Sequence, residues 1–117
     1  LIHWVAIARA AGIIIDWTDF YHLAKTTPLL ASVYPNGKAD VNEFQTAGGP
    51  AFVIRELIEA GYMFPDVFTV AHGGLREYGK VPAKENDKLV WKDLPKESGD
   101  ETIVRTAQFP FSESGGL

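Results

Sequence analysis

The chain has 117 residues and a mass of 12.9 kDa, which allows one small hydrophobic core but not a large multi-domain active site. Hydrophobic residues make up 46% and charged residues 22%, a composition typical of a folded globular protein and not of a disordered one. The formal charge of −4 disfavours nucleic-acid binding, and the absence of cysteine excludes disulfides and thiolate metal ligation from within these residues.

The longest apolar run, residues 1–15, contains His3 and Arg9 and is shorter than the roughly 18 residues of a membrane-spanning helix. No charged leader followed by a cleavage site precedes it, so a signal peptide is not predicted. We therefore expect a soluble, cytoplasmic protein with neither a membrane nor a nucleic-acid partner. Because the chain opens on Leu1 within a helical pattern, we also expect it to be an internal segment of a longer polypeptide.

The first elements are predicted to be helices. Residues 1–11 are rich in Ala, Leu and Ile, are apolar nearly all round, and are followed by Gly12, which suits the left-handed position after a helix. Residues 13–15 are three isoleucines, which predict an extended connection or a one-sided strand. Asp16 then has the position of an N-cap for a second helix, which should end before Pro28.

Two short helices are predicted to meet at a glycine elbow. Asp40 and Glu43 have capping-box spacing at the start of a third helix, and Gly48 and Gly49 end it. Pro50 suits the first position of the fourth helix. The residues predicted to face inward from that helix are Ala51, Ile54, Leu57 and Ile58.

The second half of the chain has weaker periodicity. Residues 67–70, Val-Phe-Thr-Val, are the best strand candidate, and residues 71–117 are predicted to be loops with one or two strands around the apolar run at residues 89–91. The predicted fold class is therefore α/β, helix-rich in the first half with short strands and loops after residue 62, as part of a larger α/β domain.

No active-site pattern is visible in the residues themselves. His3, His22 and His72 have no zinc-binding spacing, so a metal site is not predicted. His22 is interpreted as an exposed or half-buried surface histidine, and a core histidine with a polar partner is favoured for His3. The glycine pair at residues 73–74 lacks a phosphate-loop motif and is interpreted as a turn. The serines lie in polar loops without a GxSxG elbow, so a serine nucleophile is not predicted.

Several stretches, taken together, occur in the order and spacing of a known family. The chain resembles the dihydroxy-acid/phosphogluconate dehydratase family over essentially its whole length, and the YPNGKAD stretch and Trp91 favour the phosphogluconate branch. The stretches that carry the resemblance are residues 5–12, 34–40, 47–49, 55–61, 66–70, 89–91 and 110–116.

The resemblance implies a lyase that removes water from 6-phosphogluconate, a phosphorylated sugar acid, in the Entner–Doudoroff pathway of gluconate metabolism. It also implies an iron–sulfur cluster acting as Lewis acid, with Mg as a further cofactor, in the full-length parent. The family's cluster ligands, magnesium ligands and proposed serine base lie outside this segment, so no catalytic or metal-binding role is carried onto its residues and no cofactor is expected to bind it. His3 is the one substrate-binding candidate, because a family loop is expected just before Leu1.

The predicted role is therefore scaffolding. Residues 1–117 are expected to be an internal segment of the dehydratase's N-terminal domain, ending near the junction with the C-terminal domain. The apolar first helix predicts an exposed surface that the remainder of the parent chain or a homo-oligomer covers. Two alternatives stay open: a sister enzyme, such as dihydroxy-acid dehydratase or another sugar-acid dehydratase, and a non-enzymatic interaction module.

Overall fold

The computed structural model of the chain describes residues 1–116. Within this range a helix-rich first half precedes a second half that contains a two-stranded sheet, which confirms the predicted α/β class. In chain order the elements are α1 (Ile2–Ala10), α2 (Trp17–Thr26), α3 (Val41–Ala47), α4 (Gly49–Glu59), a 3-10 helix (Gly74–Gly79), β1 (Lys80–Glu85) and β2 (Lys88–Asp93).

Helix α1 is present as predicted, but none of its residues is buried. Trp4 is 63% exposed, and α1 does not pack extensively against any other described helix or strand. Gly12 follows the helix with φ of +77°, the left-handed conformation that glycine adopts at least cost. None of the helices among residues 1–116 is long and apolar enough to cross a membrane.

Helices α2 and α3 both begin with a complete capping box, which confirms the predicted N-cap at Asp16 and the predicted box at Asp40 and Glu43. The Asp16 carboxylate accepts from the Thr18 N–H at 2.7 Å, and the Asp19 carboxylate accepts from the Asp16 N–H at 2.9 Å. At α3, Asp40 accepts from the Glu43 N–H at 2.9 Å and Glu43 accepts in return from the Asp40 N–H at 2.8 Å. Each box satisfies N–H groups that have no partner within the helix, which fixes where the helix starts.

Two adjacent glycines separate α3 from α4. Gly48 has φ of +139° and Gly49 has φ of +62°, so both have backbone conformations that side chains disfavour. A Cβ on Gly48 would lie 2.8 Å from the Cβ of Phe52. The elbow therefore brings the last turn of α3 directly against the first turn of α4 and leaves no space for a side chain.

We predict that Gly48→Ala lowers the free energy of unfolding by about 3 kcal/mol, combining left-handed strain with overpacking against Phe52. The measurement is chemical denaturation followed by circular dichroism. Gly79→Ala is the matched control, because its new Cβ would meet the nearest atom, on Arg55, at 3.4 Å, an ordinary contact. An equal loss of stability in the two variants would contradict a special role for the elbow.

The hydrophobic core lies between α3, α4 and the segment around Val104. Ala47, Phe52 and Val104 form its centre, with exposed fractions of 3%, 1% and 0%. Val104 is brought there by an antiparallel bridge with Ala31. The partly buried residues packed around this centre are Phe44, Val53, Leu94 and Ile103.

The prediction of which α4 residues face inward is only partly right. Ile58 is buried, but the other predicted positions, Ala51, Ile54 and Leu57, are half-buried. Phe52 takes the central position instead. The cause is Val104, a distant residue that packs on the Phe52 side of the helix and that local periodicity does not reveal.

The predicted strand at residues 67–70 is wrong. Phe68 and Val70 are fully exposed, and the stretch has no regular secondary structure. A strand needs a pairing partner, and here Thr69 bonds locally instead, donating from Oγ1 to the Ala71 carbonyl and accepting from the Ala71 N–H. Residues 13–15 likewise form an extended connection without regular structure, not a strand.

The two strands form one antiparallel hairpin, paired from Lys80 with Asp93 to Glu85 with Lys88. Asn86 and Asp87 make its two-residue turn, with φ of +49° and +60°. Positive φ at both turn positions is the requirement of a type I′ turn, and Asn and Asp tolerate it best after glycine. The base of the hairpin follows directly on the 3-10 helix, which packs along α4.

Candidate functional site

The least exposed ion pair among residues 1–116 joins two neighbouring residues of α4. Arg55 Nη2 lies 3.2 Å from Glu56 Oε1, and the two side chains are only 16% and 12% exposed. The Arg55 guanidinium lies over the Phe52 ring at 4.8 Å. We call this pair the α4 clasp.

The donors of Arg55 are directed at the backbone that leaves β2. Nη1 donates to the Leu94 carbonyl at 3.0 Å and to the Pro95 carbonyl at 2.7 Å, and Nη2 donates to the Lys96 carbonyl at 3.2 Å. A guanidinium offers five N–H donors in a fixed plane, which suits three successive carbonyls. These bonds hold the end of the hairpin on α4.

Glu56 bonds to a second segment of the chain, at Ala107. Its Oε2 accepts from the Ala107 N–H at 3.0 Å. The two residues of the clasp therefore join α4 to backbone about 40 and 51 positions further along the chain.

A cleft of about 480 Å³ lies beside the clasp, between α4, the 3-10 helix and the base of the hairpin. Lys80 and Glu77, which both line the cleft, form an ion pair at 3.0 Å. Because its positive and negative side chains are equal in number, the cleft has no net charge to attract a phosphate group. The charged residues that line it are Arg55, Arg76, Lys80 and Lys96, with Glu56, Glu59, Glu77 and Asp93.

The predicted binding candidate His3 lies on the exposed surface of α1 and does not line this cleft. His22, on α2, and His72, in the loop before the 3-10 helix, are also exposed. Among residues 1–116 there is no group of three or more His, Cys, Asp or Glu side chains placed to hold a metal ion. The structure thus does not bring the histidines into one site.

The donors of this chain do not fit an iron–sulfur cluster or a magnesium ion. A cluster needs thiolates and the chain has no cysteine. Magnesium needs oxygen ligands that converge on one point, and no such group of carboxylates is found among the described residues.

Among residues 1–116, the Asp100 carboxyl has a shifted pKa. The Thr102 hydroxyl donates to Asp100 Oδ1 at 2.6 Å and the Thr102 N–H donates to the same oxygen at 2.8 Å. Both bonds favour the charged carboxylate, so they lower the pKa of Asp100 below its usual value. Asp100 opens the turn that leads to buried Val104, and it also accepts the Val104 N–H through its carbonyl at 2.9 Å.

A lowered pKa in the folded state means that this turn is stabilised above the ordinary pKa of an aspartate and loses that contribution as the pH falls through the shifted value. We predict that NMR titration of the Asp100 carboxyl gives a lowered pKa in the chain as it stands. Thr102→Val should raise it toward the ordinary value, whereas Thr106→Val, which removes a hydroxyl that Asp100 does not contact, should leave it unchanged. An unaltered Asp100 titration in Thr102→Val would contradict the assignment.

Sequence reasoning missed Arg55 and Glu56. Charged residues at neighbouring helix positions are typical of a solvent-exposed face, and the partners of the clasp are far away in sequence. The one sequence signal for a buried role is that both residues lie one helical turn after Phe52. Both residues belong to one of the stretches that carry the family resemblance, residues 55–61, for which the sequence predicts no role.

Comparison with known proteins identifies the class of protein and the family to which the chain belongs. Several of the curated relatives are dehydratases. Residues 1–78 match the model of the dihydroxy-acid/6-phosphogluconate dehydratase N-terminal family, and the chain belongs to that family.

Among individual relatives, the chain is 52% identical to the phosphogluconate dehydratase of Zymomonas mobilis and 49% identical to that of Pseudomonas aeruginosa, over 98% and 99% of its length. It is 29% identical to the dihydroxy-acid dehydratase of Saccharolobus islandicus over 100% of its length. Each match covers 19% of the relative, so the chain spans about a fifth of the length of these proteins.

Proposed function

We propose that this chain is a scaffold segment of an enzyme that dehydrates 6-phosphogluconate. The observation that carries the proposal is the difference in identity between the two branches of the family. Phosphogluconate dehydratases from five species are 44–52% identical to the chain, whereas the dihydroxy-acid dehydratase is 29% identical. A gap of this size favours the phosphogluconate branch over the sister branch.

The proposed reaction is the removal of one water molecule across C2 and C3 of the sugar acid. The C3 hydroxyl leaves with its bonding electrons, C2 loses a proton, and the enol that results tautomerises to 2-keto-3-deoxy-6-phosphogluconate. Atoms and charges balance without an oxidant or a reductant. The groups that assist these bond changes, an iron–sulfur cluster and magnesium included, come in this proposal from dehydratase polypeptide outside residues 1–117.

The scaffold role is supported by how the polar groups of the chain are used. Both terminal nitrogens of Arg55 and both carboxylate oxygens of Glu56 are already bonded within the fold. Lys80 in the cleft is paired with Glu77. Groups engaged in this way hold segments together and are not free to bind a substrate.

The branch assignment is tested by grafting. The chain replaces the matching 116 residues of the Zymomonas mobilis phosphogluconate dehydratase, and keto-acid formation from 6-phosphogluconate is measured. We expect kcat/KM within about tenfold of the unaltered enzyme, since a well-fitted scaffold costs little transition-state stabilisation.

The matched control places the same chain in the Saccharolobus islandicus dihydroxy-acid dehydratase and assays a dihydroxy acid. Here we expect loss of activity, because packing surfaces at 29% identity are poorly conserved in shape. A graft that works in the second enzyme and fails in the first would overturn the assignment.

A further inference from the structure

The chain exposes more surface than a closed protein of its mass. Its accessible surface is 8852 Å², whereas a monomeric protein of this mass exposes about 6,300 Å². The radius of gyration of 15.4 Å is also larger than the value of about 13.4 Å expected for this length. An excess of about 2,500 Å² on one partner corresponds to about 5,000 Å² counted over both partners, which is at the upper end of the range for obligate interfaces.

A large share of the exposed apolar surface is near the start of the chain. Trp4 and Ile14 are 63% and 81% exposed, in a region where α1 lacks extensive packing against the other described elements. We call this region the α1 surface. Its large exposed apolar residues are Leu1, Ile2, Trp4, Ile7, Ile13 and Ile14.

The distribution of these residues around α1 limits what can cover them. At 3.6 residues per turn, Ile2 and Trp4 project about 160° apart, on nearly opposite sides of the helix. A helix that lies on a lipid surface keeps one polar face, which α1 lacks. A flat contact between two copies covers one side and leaves the other in water. A polypeptide that encloses the helix buries the apolar side chains on both sides.

We propose that the α1 surface is enclosed by dehydratase polypeptide of the kind that the relatives carry beyond the matched fifth of their length, so that α1 becomes a core helix. The inference rests on the proposed scaffold function. The relatives supply the necessary amount of chain, because each match covers only 19% of the relative. The partner is thus defined by its chemistry as an apolar pocket of the same enzyme.

The test measures hydrogen exchange at the α1 amides in the isolated chain and in the graft within the Zymomonas mobilis enzyme. We expect exchange at least about 100-fold slower in the graft, as for amides in a core helix, together with a blue shift of the Trp4 emission. Ile7→Glu in the graft should restore fast exchange at α1. Leu89→Glu, at a hairpin residue of similar exposure (67% against 61%), should leave α1 protected.

Three results would overturn the proposal. The first is fast α1 exchange in the unsubstituted graft. The second is protection of α1 in the isolated chain that rises with chain concentration, because it would identify a second copy as the cover. The third is protection of α1 that appears only on phosphatidylglycerol vesicles. The wild-type comparison decides the question even if Ile7→Glu fails to fold. A protected α1 in an inactive graft contradicts the proposed reaction alone, and an active graft with an unprotected α1 contradicts this inference alone.

Discussion

Replacing Phe52 with alanine is expected to lower the free energy of unfolding by about 3–5 kcal/mol, the range for removing a buried aromatic ring. Phe52 is 1% exposed and contacts Ala47 and Val104, so its removal leaves a cavity where α4 meets the segment around Val104. It also removes the ring beneath the Arg55 guanidinium. Urea denaturation followed by circular dichroism measures the loss.

Phe68→Ala is the matched control, because the same side chain is fully exposed there. Its effect should stay within about 0.5 kcal/mol. Phe52→Leu, expected to lose less than Phe52→Ala, keeps the comparison measurable if the alanine variant unfolds. Equal losses at positions 52 and 68 would show that the core has been placed wrongly and that residues 67–70 pack after all.

Breaking the α4 clasp is the second change with a large expected effect. Arg55→Met removes the donors to the carbonyls of residues 94–96 and leaves the Glu56 carboxylate without its cation. Removing one partner of a buried pair costs about 3–5 kcal/mol, and the remaining solvent exposure of this pair reduces the expectation to about 2–3 kcal/mol. Hydrogen exchange at the Ala107 amide, which donates to Glu56, should become faster as well.

Lys84→Met removes an ion pair of the opposite kind, since Lys84 and Asp87 are 75% and 90% exposed. Such pairs contribute about 0–1 kcal/mol. The two methionine variants therefore separate the effect of burial from the effect of losing a positive charge. If both lose the same small amount, the clasp does not hold the hairpin on α4.

Local chemistry predicted the helices well. The capping boxes at Asp16 and Asp40 and the glycine pair after Ala47 act within a few residues, so their sequence signals are complete. The wrong prediction of a strand at residues 67–70 has the opposite cause. Residues 67–70 have the composition of a strand but no neighbouring strand to bond, and β-structure depends on that partner.

The clasp could not be predicted for a similar reason. Arg55 and Glu56 look like exposed charges until the carbonyls of residues 94–96 and the Ala107 N–H reach them. Phe52 is not among the residues predicted to face inward, because the buried side of α4 depends on Val104. Val104 lies far along the chain. By contrast, the exposed apolar character of α1 followed directly from its composition, and the structure shows it.

Keto-acid formation from 6-phosphogluconate by the purified chain alone tests the scaffold role most directly. We expect a rate indistinguishable from buffer, with or without added iron, sulfide and magnesium, because the chain has no cysteine and its described residues form no metal-binding group. Turnover above buffer that persists through repurification and disappears in a His3→Ala variant would contradict it, because the chain would then carry reactive groups of its own.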